Sequence, residues 1–308
     1  MQPRDSTGCG AESRAALIRG AVTALLLALN AVFWGTAITV VGLVKLLAPT
    51  RETRRRIRVV LTALGARWAG GNNRIFDSML GTKWDIAGVD GLTRDGHYLI
   101  ISNHVSWLDI FVVFRTFHAR VAFIRFFLKQ SLIWFPIIGQ ACWVMDFPFM
   151  RRYSAEYLER HPEQRGRDLE ATRRTCRRYR RIPVAILNFL EGTRFTAAKH
   201  AEEASPYRNL LRPRVGGTAF VLSSLGEQLD AIIDVTIAYP ARDVTVWEFL
   251  TNRVDRITVR ARVLDVPQQF VTAPITEPGP GRDAFRDWIE DLWRAKDSLI
   301  DELRTVVR

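Results

Sequence analysis

The sequence predicts an α/β domain, a mixed sheet flanked by helices, carried behind an N-terminal transmembrane or membrane-embedded helix. Three observations support this. An uncharged, mostly apolar run occupies Ala21 to Val44. From Trp84 onward, short apolar runs bounded by turn residues alternate with stretches of helical character, the pattern of strands and helices layered around a sheet. The hydrophobic content, 48% of 308 residues, suffices for a packed core.

Residues 1–15 are polar and read as a disordered tail. Residues 16–48 form the anchor, closed by Pro49. Its uncharged run of 24 residues exceeds the roughly 20 that cross a bilayer core. It is too long for the core of a signal peptide, and no small-residue cleavage site follows. A buried core helix would be equally apolar, but Arg51, Arg54, Arg55, Arg56 and Arg58 follow at once as a juxtamembrane basic cluster. Arg4, Arg14 and Arg19 precede it, so the bias is modest; it places everything after residue 50 on the cytoplasmic side of the inner membrane. Residues 49–83 read as an interfacial helical segment, with Ile57, Leu61, Leu64 and Trp68 at helical spacing beside the arginines and a break expected at Gly70-Gly71-Asn72-Asn73.

Residues 84–308 form the α/β domain. Strands are expected at 84–89 and 98–102, with a helix at 107–116. Phe123 to Phe135 is either core or a partly exposed membrane patch, the second suiting Lys129, Trp134 and Phe135. A buried strand is expected at 142–149 and a basic helix at 168–181, stopped by Pro183. Next come a buried strand at 184–190, a helix at 215–225, and strands at 231–238 and 256–264. The last helix, 282–308, carries Phe285, Trp288, Ile289, Leu292 and Trp293 on one face.

Net charge is +12, and most of the positive charge is arginine. Such an excess suits nucleic acid, anionic lipid or a phosphorylated substrate. Nucleic acid is disfavoured because no zinc-finger spacing, RNA-binding segment or basic-plus-heptad pattern occurs. Arg173, Arg174, Arg177 and Arg178 share one helical face, either solvated or facing anionic headgroups or an acidic carrier protein. Cys9, Cys142 and Cys176 are odd in number and far apart, so neither a disulfide framework nor a zinc site is indicated, and no metal is expected.

The chemistry concentrates in Asn103-His104-Val105-Ser106-Trp107-Leu108-Asp109. A histidine can take a proton from a hydroxyl, and an aspartate can orient it and stabilise the imidazolium. Positions five apart on a continuous helix lie about 140° from each other and cannot meet. The pair works only if His104 lies in the turn before the helix and Asp109 in its first turn, with Ser106 as the N-cap. A surface histidine beside an ordinary first-turn acid fits the spacing as well. A second motif, Phe189-Leu190-Glu191-Gly192-Thr193-Arg194, follows a buried strand. Gly192 allows close backbone approach, and Arg194 can grip a phosphate in a bidentate manner. A plain turn with solvated charges is the alternative.

The two motifs in this order resemble the PlsC-type lysophosphatidic acid (1-acylglycerol-3-phosphate) acyltransferase family. Its N-H-x4-D motif is matched by Asn103, His104 and Asp109, and its F-x-E-G-T-R motif from Phe189 to Arg194. Residues 127–170 look like the bacterial YihG-type branch. The family's acceptor-binding segment is matched more loosely from Gly139 to Arg151 and Arg152, with Phe-Pro-Phe-Met inserted after Asp146. Arg214 stands where the family has a basic residue before a glycine-led helix. The family's strand proline is missing from Ile233 to Ile237, although Tyr239-Pro240 follows.

The resemblance implies direct transfer of a fatty acyl group from acyl-CoA or acyl-carrier protein to the free hydroxyl of a lysophospholipid, foremost lysophosphatidic acid. It implies no separate cofactor, and anionic membrane lipids as surroundings. His104 and Asp109 would be catalytic. Asn103, Arg151, Arg152, Glu191, Gly192, Thr193 and Arg194 would bind substrate, with backbone N–H groups holding the oxyanion. The alternatives are another lysolipid acceptor, lysophosphatidylglycerol or lysocardiolipin-like, and a noncatalytic membrane-binding protein.

Overall fold

The computed structural model describes residues 7–150, 160, 179 and 182–305. Helix α1 spans Thr7–Leu47 and α2 spans Arg51–Met79. No proline interrupts residues 7–15, and α1 already begins inside the stretch read as a tail. Pro49 separates the two helices, and the Thr50 hydroxyl caps α2 by accepting the Thr53 N–H at 3.1 Å.

Helix α2 does not break at Gly70–Asn73, contrary to expectation, because that is where α1 docks. The Asn30 amide of α1 donates to Trp68 O at 3.0 Å and to Asn72 Oδ1 at 2.8 Å. A Cβ on Gly71 would stand 2.4 Å from Asn30 Oδ1, so only glycine lets the helices meet there. Glycine costs about 1 kcal/mol of helix propensity relative to alanine, which this docking offsets.

The α/β domain is built on a six-stranded mixed sheet. Its strands are β1 Lys83–Ala87, β2 Tyr98–Ser102, β3 Ile124–Phe126, β6 Ala185–Phe189, β7 Ala231–Ala238 and β8 Arg256–Leu264. Their order is β1-β8-β7-β2-β6-β3. β7, β2, β6 and β3 run parallel, and β8 pairs antiparallel to β7. A small second sheet pairs β4 Leu128–Lys129 with β5 Phe149–Met150.

β2 and β7 are buried at every position because helices cover both faces. Ile100, Ile233 and Val235 face a core closed by α2 and by α3, Leu108–Thr116. Leu99, Ile101 and Ile232 face the opposite core, closed by α6 Gly216–Leu225 and α9 Pro280–Thr305. Short helices α5 Ala197–Glu202, α7 Val246–Leu250 and α8 Gln268–Thr272 lie between these elements.

The strand expected at 142–149 is a correction. Residues Ile138–Val144 form helix α4, burying Gly139, Ala141 and Val144 against α1 and α2. A short run that is apolar but for Asp146 has too little periodicity to separate a buried strand from a buried helix. Phe123 to Phe135 divides between its two readings. Arg125 is 2% exposed at the sheet edge, its guanidinium donating to Met145 O at 3.1 Å, whereas Trp134 is 83% exposed. The basic helix expected at 168–181 lies outside the described residues, apart from Tyr179.

Candidate active site at the ends of β2, β6 and β7

Parallel register places the motifs side by side. Ser102 at the end of β2 pairs with Phe189 at the end of β6, so His104 and Glu191 emerge together two residues later. The carboxyl ends of parallel strands are where α/β sheets hold ligands. Leu190 N donates to Ser102 O at 3.1 Å and Phe195 N to His104 O at 2.7 Å, joining the two loops by backbone.

His104 lies in the turn and Asp109 is the second residue of α3, the arrangement that the spacing demanded. The His104 Nδ1 to Asp109 Oδ2 distance is 2.8 Å. The same oxygen accepts the N–H groups of Val105 at 2.6 Å and Ser106 at 2.8 Å. Asp109 therefore ties down the turn that presents the histidine. Ser106 is not the formal N-cap, which is Trp107, but its hydroxyl accepts the Leu108 N–H at 3.2 Å.

Asp109 Oδ1 accepts the Tyr239 hydroxyl at 2.5 Å. Burial, the Asp109 charge and this hydrogen bond together push Tyr239 well above its usual pKa, so the phenol keeps its proton and donates. A carboxylate that accepts from Val105, Ser106 and Tyr239 leaves Nδ1–H as the proton it shares with the imidazole. Nε2 is then the acceptor nitrogen, and no hydrogen bond engages it among the described residues. The Phe189 ring stacks on the imidazole at 4.0 Å and 13° between planes.

Two residues expected to bind substrate make hydrogen bonds that brace the scaffold. The Asn103 side chain accepts Ile237 N and donates to Ile237 O, both at 2.9 Å, stitching the turn to β7. Glu191 is 1% exposed, and its oxygens accept the N–H of His104 at 2.8 Å and of Leu211 at 3.1 Å. Both side chains are buried, and these bonds tie the site's loops to β7 and to the backbone at Leu211. Gly192 has φ +65°, and a Cβ there would stand 3.0 Å from Arg214 Cδ.

The Thr193 hydroxyl accepts Lys199 Nζ at 2.5 Å. The Arg194 guanidinium lies 5.0 Å from the ring centroid of Trp107, itself 54% exposed, on the open lip beside His104. Arg214 pairs with Glu203 at 3.1 Å. Arg151 and Arg152 lie outside the described residues. Among the described residues no three His, Cys, Asp or Glu side chains converge as metal ligands.

Burial, with the Asp109 charge adding to it, pushes Glu191 up to about 8, against the opposing pull of its two N–H donors and of Lys296. The folded protein thus holds a proton that the unfolded chain releases near the ordinary value of 4.5. Stability is full below that value and is lost as pH rises toward 8. Glu191→Gln, which cannot ionise, should escape this loss. Melting temperatures of wild type and variant should draw together from pH 5 to pH 8; a constant gap would sink the assignment.

The sequence profile of the Acyltransferase family matches residues 83–239, from the first strand of the domain to Tyr239. The chain belongs to that family. It is 28% identical over 275 residues to "Lysocardiolipin acyltransferase 1" of Danio rerio, covering 85% of this chain and 65% of that protein. It is 25% identical over 218 residues to "1-acyl-sn-glycerol-3-phosphate acyltransferase 2" of Brassica napus, covering 67% and 51%. The chain thus spans between half and two thirds of the length of these relatives. The crystal structure of the 1-acyl-sn-glycerophosphate acyltransferase PlsC from Thermotoga maritima superposes with a TM-score of 0.56 at 14% identity, covering 94% of this chain and 98% of that one, which shows a shared fold.

Proposed function

We propose that this family member is a membrane-bound lysophospholipid acyltransferase, taking lysophosphatidic acid to phosphatidic acid. The observation that carries the reading is the buried Asp109–His104 pair with Nε2 left as acceptor at the strand ends. The acceptor hydroxyl attacks the thioester carbonyl of acyl-CoA or acyl-carrier protein while Nε2 takes its proton. Asp109 stabilises the imidazolium that forms. The tetrahedral intermediate collapses, the C–S bond breaks, and the thiolate leaves with the proton from Nε2. No acyl-enzyme forms, and the reaction needs no metal or cofactor. Arg194, with Arg151 or Arg152, holds the acceptor phosphate. Placement in the YihG-type branch belongs to the same proposal.

Membrane attachment falls to α1. Residues Arg14–Leu47 are long and apolar enough to cross a bilayer. The helix is also held to the domain at both ends: a Cβ on Gly20 would stand 2.7 Å from the Thr251 side chain, and Lys45 pairs with Asp146 at 3.0 Å. Leu25, Leu29, Phe33, Val40 and Leu47 stay exposed on its outer side. This favours a helix embedded along the inner membrane, with the domain in the cytoplasm.

A second reading, a lysocardiolipin-like acceptor, is favoured by the Danio rerio relative. Purified protein offered a panel of lysolipids with each donor should acylate lysophosphatidic acid fastest. His104→Ala should lose roughly 10²–10⁴-fold of that rate. Transfer to none of the acceptors, or full activity in His104→Ala, would overturn the proposal.

A further inference from the structure

Two cavities of about 470 and 510 Å³ lie between α2 and the loop after α3, and share Ala63, Ala66, Arg94, His118 and Ala119 in their walls. Asp109 sits at the start of α3 and this groove at its end, so a nine-residue helix, about 14 Å long, separates it from the catalytic pair.

Among the described residues, the groove gathers more positive than negative charge. Arg67 and Arg74 of α2 and Arg94 of the turn before β2 line the second cavity, and Arg120, on the loop after α3, lines an adjoining cavity with Arg74 and His118. Among the described residues, Arg67, Arg74 and Arg94 have no ion pair or side-chain hydrogen bond. Arg120 donates to Thr116 O at the end of α3, 3.2 Å away. Of the nearby carboxylates, Asp77 is taken by Arg115 at 2.6 Å, and Asp95, next to Arg94 in the chain, lines the first cavity. His118 lines both cavities, beside Arg94 in the first and beside Arg74 and Arg94 in the second, and partial burial with the charges of Arg94, Arg74 and Arg120 pushes it below its usual pKa. Uncompensated guanidinium groups around a concavity attract an anion, and their planar forks match phosphate.

The remaining walls narrow the choice of anion. Phe114, Phe117, Val121 and Phe123 line the first cavity, and Asn30 and Trp34 of α1 line the second. The charged groove therefore opens beside the helix with the exposed apolar face and has an apolar floor of its own. A soluble phosphate would use neither feature; a membrane lipid would use both. We propose that this groove binds the phosphate headgroup of an anionic, fully acylated phospholipid, at a site separate from the acyl-transfer centre.

The test uses the detergent-solubilised full chain, phosphatidylglycerol and phosphatidylcholine offered in equal amounts, and bound lipid read by native mass spectrometry. Wild type should retain phosphatidylglycerol selectively. Arg67→Gln/Arg74→Gln/Arg94→Gln, checked for wild-type melting, should bind it about a hundredfold more weakly. The corresponding triple lysine variant keeps the charge and should recover much of the binding. A control of equal charge change, Arg208→Gln/Arg282→Gln/Arg286→Gln, should bind as wild type does. Unchanged binding in the groove variant overturns the proposal. So does an equal loss in the control, which would mean diffuse attraction, or complete displacement of the lipid by inorganic phosphate, which would mean a soluble-anion site.

Discussion

Asp109→Asn should lower the rate of acyl transfer by roughly 10²–10⁴-fold, the range a positioned acid-base pair contributes. The amide oxygen can still accept from Val105, Ser106 and His104, with the amide NH2 group turned toward Tyr239. The turn is kept, and the negative charge facing the imidazolium is lost. Tyr239→Phe does the reverse, removing one donor to Asp109 Oδ1 while the carboxylate keeps its charge. Its effect should be roughly ten- to a hundredfold, the worth of one hydrogen bond to a charged group. Initial rates with lysophosphatidic acid and acyl-CoA over pH 5 to 9 would check the order of the two losses. If Asp109→Asn stayed within a few-fold of wild type, the aspartate would be a clasp for the turn and nothing more.

This comparison also marks where the sequence stops being informative. Five-residue spacing, followed by a helix start, was enough to place His104 in a turn and Asp109 in the first turn of α3, because local geometry leaves no other way for them to meet. The β-branched runs of β7 and β8 gave those strands their limits for a similar local reason. Tyr239 reaches Asp109 from 130 positions away in sequence, through the packing of β7 against β2, and no local pattern encodes that. Its one sequence signal was its place just past the strand expected at 231–238.

Asn103 and Glu191 make tertiary contacts that no local pattern announces. Their residue types suit a ligand, and only the tertiary hydrogen bonds to Ile237, His104 and Leu211 reveal them as braces. The uninterrupted α2 teaches the same lesson about Gly70–Asn73: turn residues continue a helix when a second helix must approach closely.

Lys296→Met should cost roughly 3–5 kcal/mol of stability, the usual penalty for stripping one partner from a buried ion pair. Lys296 is 2% exposed on α9, and its ammonium lies 2.7 Å from Asp234 Oδ1, 2.5 Å from Val235 O and 3.2 Å from Thr236 Oγ1. Strand alternation explains the pairing. Ile233 and Val235 face the α2–α3 core, so Asp234 and Thr236 must face α9, where a charge survives only if it is answered. Burial lowers the Lys296 pKa, while Asp234 holds it up. With methionine in its place, Asp234 keeps only the half-exposed Arg262 at 3.2 Å. Asp234→Asn/Lys296→Met, which leaves no buried charge, should recover most of the loss, because apolar replacement of both members of a buried pair is commonly near neutral. Urea denaturation of the single and double variants would measure this. A double variant as unstable as Lys296→Met would show that the lysine acts through its carbonyl and hydroxyl partners on β7 and not through Asp234. Lys296 also lowers the Glu191 pKa, so its loss should drive Glu191 further up and steepen the fall of stability between pH 5 and pH 8.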